Sequence, residues 1–205
     1  MCTARLLFSA LLLLLSAPLA AVADGIVEAQ QLIMRGEYRQ AVELLRPMSE
    51  QGNSRAQYIL GNLSAEGWGV PQNEAEAIKL YEAASRSGDV DAQFNLGLTY
   101  YDGRFVKQNF PKAVRWFSLA AAHGDLAPAA QYYLGEIYSN GAGVARNLIA
   151  AHMWFNIAAA NERDSQVKLQ YEQKRDKVAN RMSREQIQEA QARATACVQG
   201  RYQNC

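Results

Sequence analysis

The chain has 205 residues, 49% of them apolar and 20% charged, which suits a folded domain with a real core and excludes a disordered or low-complexity protein. Its 21 basic and 20 acidic side chains nearly cancel, and no basic stripe stands out. That balance argues against nucleic-acid binding, which relies on neutralising phosphates.

The N-terminus reads as an export leader spanning 1–23. Residues 1–5 carry the only charge of this stretch, at Arg5, and residues 6–15 form an apolar run ending in five leucines. Pro18 interrupts the run, and Ala21 and Ala23 place small residues for a cut after Ala23. Ten apolar residues span about 15 Å as a helix, against roughly 30 Å of hydrocarbon. A cleaved leader, with no stable membrane insertion afterwards, is therefore expected. The alternative is an uncleaved anchor over 6–23.

Residues 24–54 hold a degenerate helix pair. Its first helix is expected at 26–35, followed by a tight turn at Gly36, with Ala41, Leu45 and Met48 along the second. Pro47 lies inside that second helix and should kink it, because proline removes an internal hydrogen bond.

Three clear repeats follow, at 55–90, 91–128 and 129–160. Aligned from Ala56, Ala92 and Ala130, they match without gaps at Leu60/Leu96/Leu134, Gly61/Gly97/Gly135 and Gly67/Gly103/Gly141. They match again at Val70/Val106/Val144, Asn73/Asn109/Asn147, Ala77/Ala113/Ala151 and Ala84/Ala120/Ala158. Each unit carries two stretches with helical i, i+4, i+7, i+8 periodicity around a glycine turn. In the third unit Ala130, Leu134, Ile137 and Tyr138 form one apolar stripe, and Ala151, Trp154, Phe155 and Ala158 the other. Gly135 and Ala151 would let the two helices approach closely. A lone hairpin cannot bury both stripes, so the units must stack. Trp116, Phe117, Trp154 and Phe155 are the large side chains available to fill the interfaces.

Residues 161–205 leave the pattern and read as a polar helical cap. Ser183 and Gln186 have the spacing of a capping box. Once the leader is removed, Cys197 and Cys205 are the only cysteines left, and an even pair in an exported chain reads as a disulfide.

The order A-x-x-x-L-G-x-x-Y-x-x-G-x-G-V, then N, then A-x-x-W-F-x-x-A, resembles the Sel-one-like repeat (SLR) family, a branch of the tetratricopeptide-repeat class. The likeness covers about 26–160. It implies an all-α, right-handed αα-hairpin superhelix acting in protein–protein interaction, and for bacterial members often an envelope location, periplasmic or secreted. Transferring the class geometry, in which first helices line the concave groove, gives Tyr58, Phe94 and Tyr132, then Asn62, Leu98 and Glu136, then Ala65, Tyr101 and Ser139. Three positions depart from the pattern. Ser64 replaces the tyrosine of Tyr100 and Tyr138, Phe105 replaces the second turn glycine, and Glu162 replaces the unit-ending glycine. The Phe105 departure suggests that only one of the two turn glycines is required.

Motifs of chemistry are weak by comparison. Gly67–Gly69 and Gly141–Gly143 lack the preceding strand and third glycine of a dinucleotide fingerprint, and no P-loop lysine follows. Ser165 and Lys168 form an isolated S-x-x-K without its companion motifs. His123 and His152 match no metal-ligand spacing. Neither catalytic residues, nor a metal, nor a cofactor are expected. The sequence thus points to a noncatalytic scaffold or adaptor binding a protein or peptide, with a binder of cell-wall fragments, or an enzyme with an unrecognised site, as the competing readings. Cysteine pairs inside the repeats, which mark some relatives suggestive of cell-wall binding, are absent.

Overall fold

The computed structural model describes residues 19–203 and 205, with side chains from Asp24 onward. The expected leader lies mostly outside the described residues. The backbone around its expected cut after Ala23 is helical, within α1 (Leu19–Met34).

Four helical hairpins stack in chain order. α1 pairs with α2 (Tyr38–Glu50), α3 (Ser54–Glu66) with α4 (Glu74–Arg86), α5 (Val90–Asp102) with α6 (Phe110–Ala121), and α7 (Pro128–Asn140) with α8 (Leu148–Asn161). α9 (Ser165–Ala179) and α10 (Arg184–Gln199) follow. The architecture is the expected helical-hairpin superhelix. α1 begins seven residues before the 26–35 expected from the sequence, directly after Pro18, and α2 continues through Pro47 to Glu50.

The repeated positions each have a mechanical task. Asn73, Asn109 and Asn147 cap the second helices, each side-chain oxygen accepting the backbone N–H three residues on. Gly67, Gly103 and Gly141 end the first helices in the left-handed conformation. The loops are then stitched back by backbone bonds from Asn73, Asn109 and Asn147 to the carbonyls of Ser64, Tyr100 and Tyr138. The Ser64 departure leaves this turn unchanged, because the bond uses the main chain.

Phe105 is more informative. Its φ is 70°, beside 75° at Gly69 and 67° at Gly143. The second turn position therefore keeps its left-handed backbone in all three repeats, and in the second repeat a residue other than glycine holds it. At Gly69 and Gly143 glycine also serves a close approach, since a Cβ would lie 2.6 Å from the Tyr38 carbonyl carbon and 2.5 Å from Phe110 Cβ. Phe105 bears the backbone cost and packs its ring against the cluster of Ala65, Ala77, Tyr81 and Leu96.

The inner glycine of each first helix faces an aromatic ring of its partner helix: Gly61 faces Tyr81, Gly97 faces Phe117 and Gly135 faces Phe155. A Cβ on Gly135 would lie 2.7 Å from two atoms of the fully buried Phe155 ring. The absent side chain is thus the socket for a ring. Around these sockets the nine alanines of the matched sets are all fully buried, so those columns are packing.

The third repeat ends differently. Gly52, Gly88 and Gly124 close the earlier units with positive φ, whereas Glu162 takes an extended backbone (φ −76°, ψ 132°). The chain is redirected into α9. α7, α9 and α10 all pack on α8, which buries His152, Met153, Ile157 and Ala159 as well as Ala151, Trp154, Phe155 and Ala158. The single stripe read from the sequence is therefore one of two buried faces. The capping box forms as expected, Ser183 N–H to Gln186 Oε1 at 2.9 Å and Gln186 N–H to Ser183 Oγ at 3.3 Å. Cys197 and Cys205 are joined with Cα atoms 5.1 Å apart. The loop they close sets Tyr202 against Gly124, with its hydroxyl donating to Asn161 Oδ1 at 3.1 Å.

Candidate functional site

The first helices α3, α5 and α7 form one face of the stack, and the candidate groove residues lie along it. In the first repeat Tyr58 is half-buried, its ring 6.2 Å from Tyr81 and the Arg55 guanidinium 4.8 Å above it. Asn62 is half-buried, and its side-chain oxygen accepts from the Tyr81 hydroxyl at 2.7 Å and from Asn95 Nδ2 at 3.1 Å. Ala65 is buried and packs beneath this face. In the second repeat Phe94 lies 5.8 Å from both Phe117 and Tyr133. Tyr101 meets Phe110 and Tyr133 edge-on at 5.5 and 5.2 Å, and Leu98 stays half-exposed beside them.

The third repeat is closed by the chain itself. Tyr132 stacks on Tyr171 of α9 at 4.7 Å, and Glu136 pairs with Lys174 of α9 at 3.0 Å. Partial burial works to lower the Lys174 pKa, but the hydrogen bond and charge of Glu136 outweigh it and raise the value. The structure thus brings Asn62 and Leu98 to one pocket and Phe94 and Tyr101 to one aromatic cluster. Tyr132 adjoins that cluster at Tyr133, 5.7 Å away, but it and Glu136 are engaged by α9 in holding the cap.

The pocket lies between α3 and α5, has a volume of about 150 Å³, and is floored by Ala65, Leu98 and Phe105. Its polar lining adds residues the sequence reading missed, namely Asn95, Thr99 and Asp102 of α5, with the Arg104–Glu66 ion pair (2.7 Å) at the rim. A signal for two of them exists. Asn95 stands where the other repeats have Ile59 and Tyr133, and Thr99 where they have Leu63 and Ile137. Two polar residues one helical turn apart in otherwise apolar columns mark one spot on a helix.

A second missed column is Gln57, Gln93 and Gln131, the glutamine after each leading alanine. Each side chain donates across the repeat junction, to the carbonyls of Ser49, Ser85 and Gly124 respectively. In the third repeat Gln131 Oε1 also accepts from Asn161, which in turn holds Tyr202, so the disulfide loop is wired into the last junction.

Burial pushes the Tyr81 hydroxyl up to about 12, and it serves as a proton donor to Asn62. Tyr101 and Tyr133 are also raised, by burial first and then by the nearby carboxylates of Glu136 and Asp102. These phenols stay neutral across the physiological range and offer aromatic surface and hydrogen bonds. Among the described residues no three His, Cys, Asp or Glu side chains come together as a metal site. His123 is exposed in its turn, and His152 is buried in α8 with its pKa lowered by burial and then by Arg175. Ser165 and Lys168 are exposed on the first turn of α9.

Comparison with known proteins adds relatives to this geometry. A family model described as Sel1 repeat matches residues 32–53, 54–89, 90–125 and 128–162, so it includes the degenerate first unit. A crystal structure of a Sel1 repeat protein from Oxalobacter formigenes is similar at TM-score 0.62 and 27% identity, over 84% of this chain and 75% of that one. A protective antigen of uropathogenic Escherichia coli with an SLR fold is similar at TM-score 0.50 and 28% identity, over 79% of this chain and 42% of that one. No curated protein sequence matched. Among the described residues no helix is long and apolar enough to cross a membrane.

Proposed function

The chain belongs to the Sel1-repeat family, whose repeats generally mediate protein–protein interaction, and from that premise we propose that it is a noncatalytic adaptor of the bacterial envelope. It takes a partner protein or peptide on the concave face formed by α3 and α5. One observation carries this reading. At the third-repeat end Tyr132 and Glu136 are engaged by Tyr171 and Lys174 of α9, while Tyr58, Phe94, Leu98 and Tyr101 of the first two repeats are partly buried, with ring partners from α4, α6 and α7 and none from the cap. An aromatic and carboxamide surface of this kind suits capture of a chain segment. The envelope location rests on the leader of 1–23 and on the disulfide, which persists in oxidising compartments.

The test is site-specific photo-cross-linking in cells. A cross-linker at Leu98 should yield one discrete adduct in the envelope fraction, and the same group at exposed Leu119 on α6 should not. Equal adducts from both positions, or adducts of cytoplasmic proteins only, would overturn the reading. Adducts that shift on muramidase treatment would favour cell-wall fragments instead.

A further inference from the structure

The ion pair at the pocket rim repeats imperfectly, and the imperfection exposes a charge. Glu66 ends α3 and pairs with Arg104, which lies in the turn of the next repeat. One repeat on, the position of Glu66 is Asp102 and the position of Arg104 is Ala142. Asp102 therefore lacks the partner its equivalent has, and it makes no ion pair among the described residues. It also occupies the last turn of α5, where the helix dipole disfavours a carboxylate. Asp102 lines the pocket together with Asn62, Asn95 and Arg104. The mutual bond of the two asparagines uses one Asn95 N–H and the Asn62 oxygen. Asn62 also reaches the Tyr58 hydroxyl, which leaves one Asn62 amide N–H and the Asn95 carbonyl oxygen, a donor and an acceptor matched to the C=O and N–H of a peptide main chain.

We propose that the pocket between α3 and α5 receives an extended peptide segment bearing a lysine or arginine, its main chain held by Asn62 and Asn95 and its cation by Asp102. This deepens the adaptor reading and rests on it. The volume of about 150 Å³ accommodates one residue of a chain and falls short of the ~300–1,000 Å³ typical of small-molecule sites. The apolar floor of Ala65, Leu98 and Phe105 suits the methylene stem of a long basic side chain, with the charge delivered to the rim. With Glu66 and Arg104 neutralising each other in their ion pair, an acidic side chain would meet the unpaired Asp102 and be repelled.

The experiment is panning of a random dodecapeptide display library on the purified full chain, followed by fluorescence anisotropy with the recovered peptides. Lysine or arginine should be enriched at one peptide position. Asp102→Asn, an isosteric change at an exposed residue, should weaken binding at least about tenfold, in line with loss of a charged hydrogen bond. Replacing the enriched lysine by norleucine should cost the same factor, and the two losses should not add. Recovery of acidic or uncharged peptides, of none, or equal affinity of Asp102→Asn would overturn the proposal. Phe94→Ala separates it from the adaptor reading. If that variant loses binding while Asp102→Asn does not, the groove stands and the basic-residue site falls. If neither affects binding, both fall.

Discussion

Substitution of Gly135 probes the glycine sockets directly. A Cβ there would sit 2.7 Å from Cδ1 and Cε1 of Phe155 and 3.0 Å from Cγ, against roughly 3.5–4.0 Å for a relaxed carbon contact. The ring or the whole of α8 must therefore give way by nearly 1 Å. Phe155 is fully buried and α8 is held by α7, α9 and α10, so neither moves freely. For Gly135→Ala, overpacking of about 1–3 kcal/mol is offset by about 1 kcal/mol of improved helix propensity. The variant should lose up to about 2 kcal/mol. Gly135→Val adds two methyl groups to the same wall and should cost about 3 kcal/mol. For a domain of this size that lowers the melting temperature by roughly 6–12 °C, read by circular dichroism. Phe155→Leu shrinks the ring and should relieve part of the clash. In a double-mutant cycle the pair should then be less damaging than the sum of the singles, by about 1–2 kcal/mol. An unchanged melting temperature for Gly135→Val, or strict additivity in the cycle, refutes the socket.

Three further outcomes are expected. Cys205→Ser should lower stability by up to about 2.5 kcal/mol on the chain-entropy account and raise hydrogen exchange around Gly124 and Asn161, where Tyr202 is anchored; the exported chain, freed of residues 1–23 and hence of Cys2, should take up no alkylating reagent without reduction. His152 is lowered in the folded state, so the unfolded chain protonates first as pH falls through the ordinary histidine value of 6.5. Its contribution is fully present above that value and is lost below it, so the stability difference between the native chain and His152→Gln should change between pH 7.5 and 5; a difference independent of pH contradicts this. Tyr132→Ala should destabilise by about 2–4 kcal/mol and raise amide exchange in α9 while leaving α3 and α4 protected; uniform exchange across the chain would refute the role of Tyr132 in holding the cap.

Much of the repeat was legible because its requirements are local. A left-handed turn at Gly141, a capping side chain at Asn147 and a small residue at Ala151 recur at fixed spacing, since each hairpin solves the same backbone problem. The candidate face was legible in phase but not in use. Tyr132 and Glu136 have the same register as Phe94 and Leu98, yet the first pair is engaged by Tyr171 and Lys174 of α9 and the second by no residue of the cap. No periodicity reports where a nonrepeating segment docks. Asn95 and Thr99 were passed over because alignment by matched columns rewards sameness, and these two matter as departures.

The sequence by itself determined the hairpins, their number and their stacking, because glycine, asparagine and alanine at repeated positions act within one or two turns of their own helix. Only the tertiary structure decided which part of the common face the cap engages, that Glu66 pairs with Arg104 of the next repeat, and that the C-terminal loop closes on Gly124. Those outcomes depend on contacts between residues tens of positions apart, where a missing partner becomes visible only once the neighbouring repeat is in place.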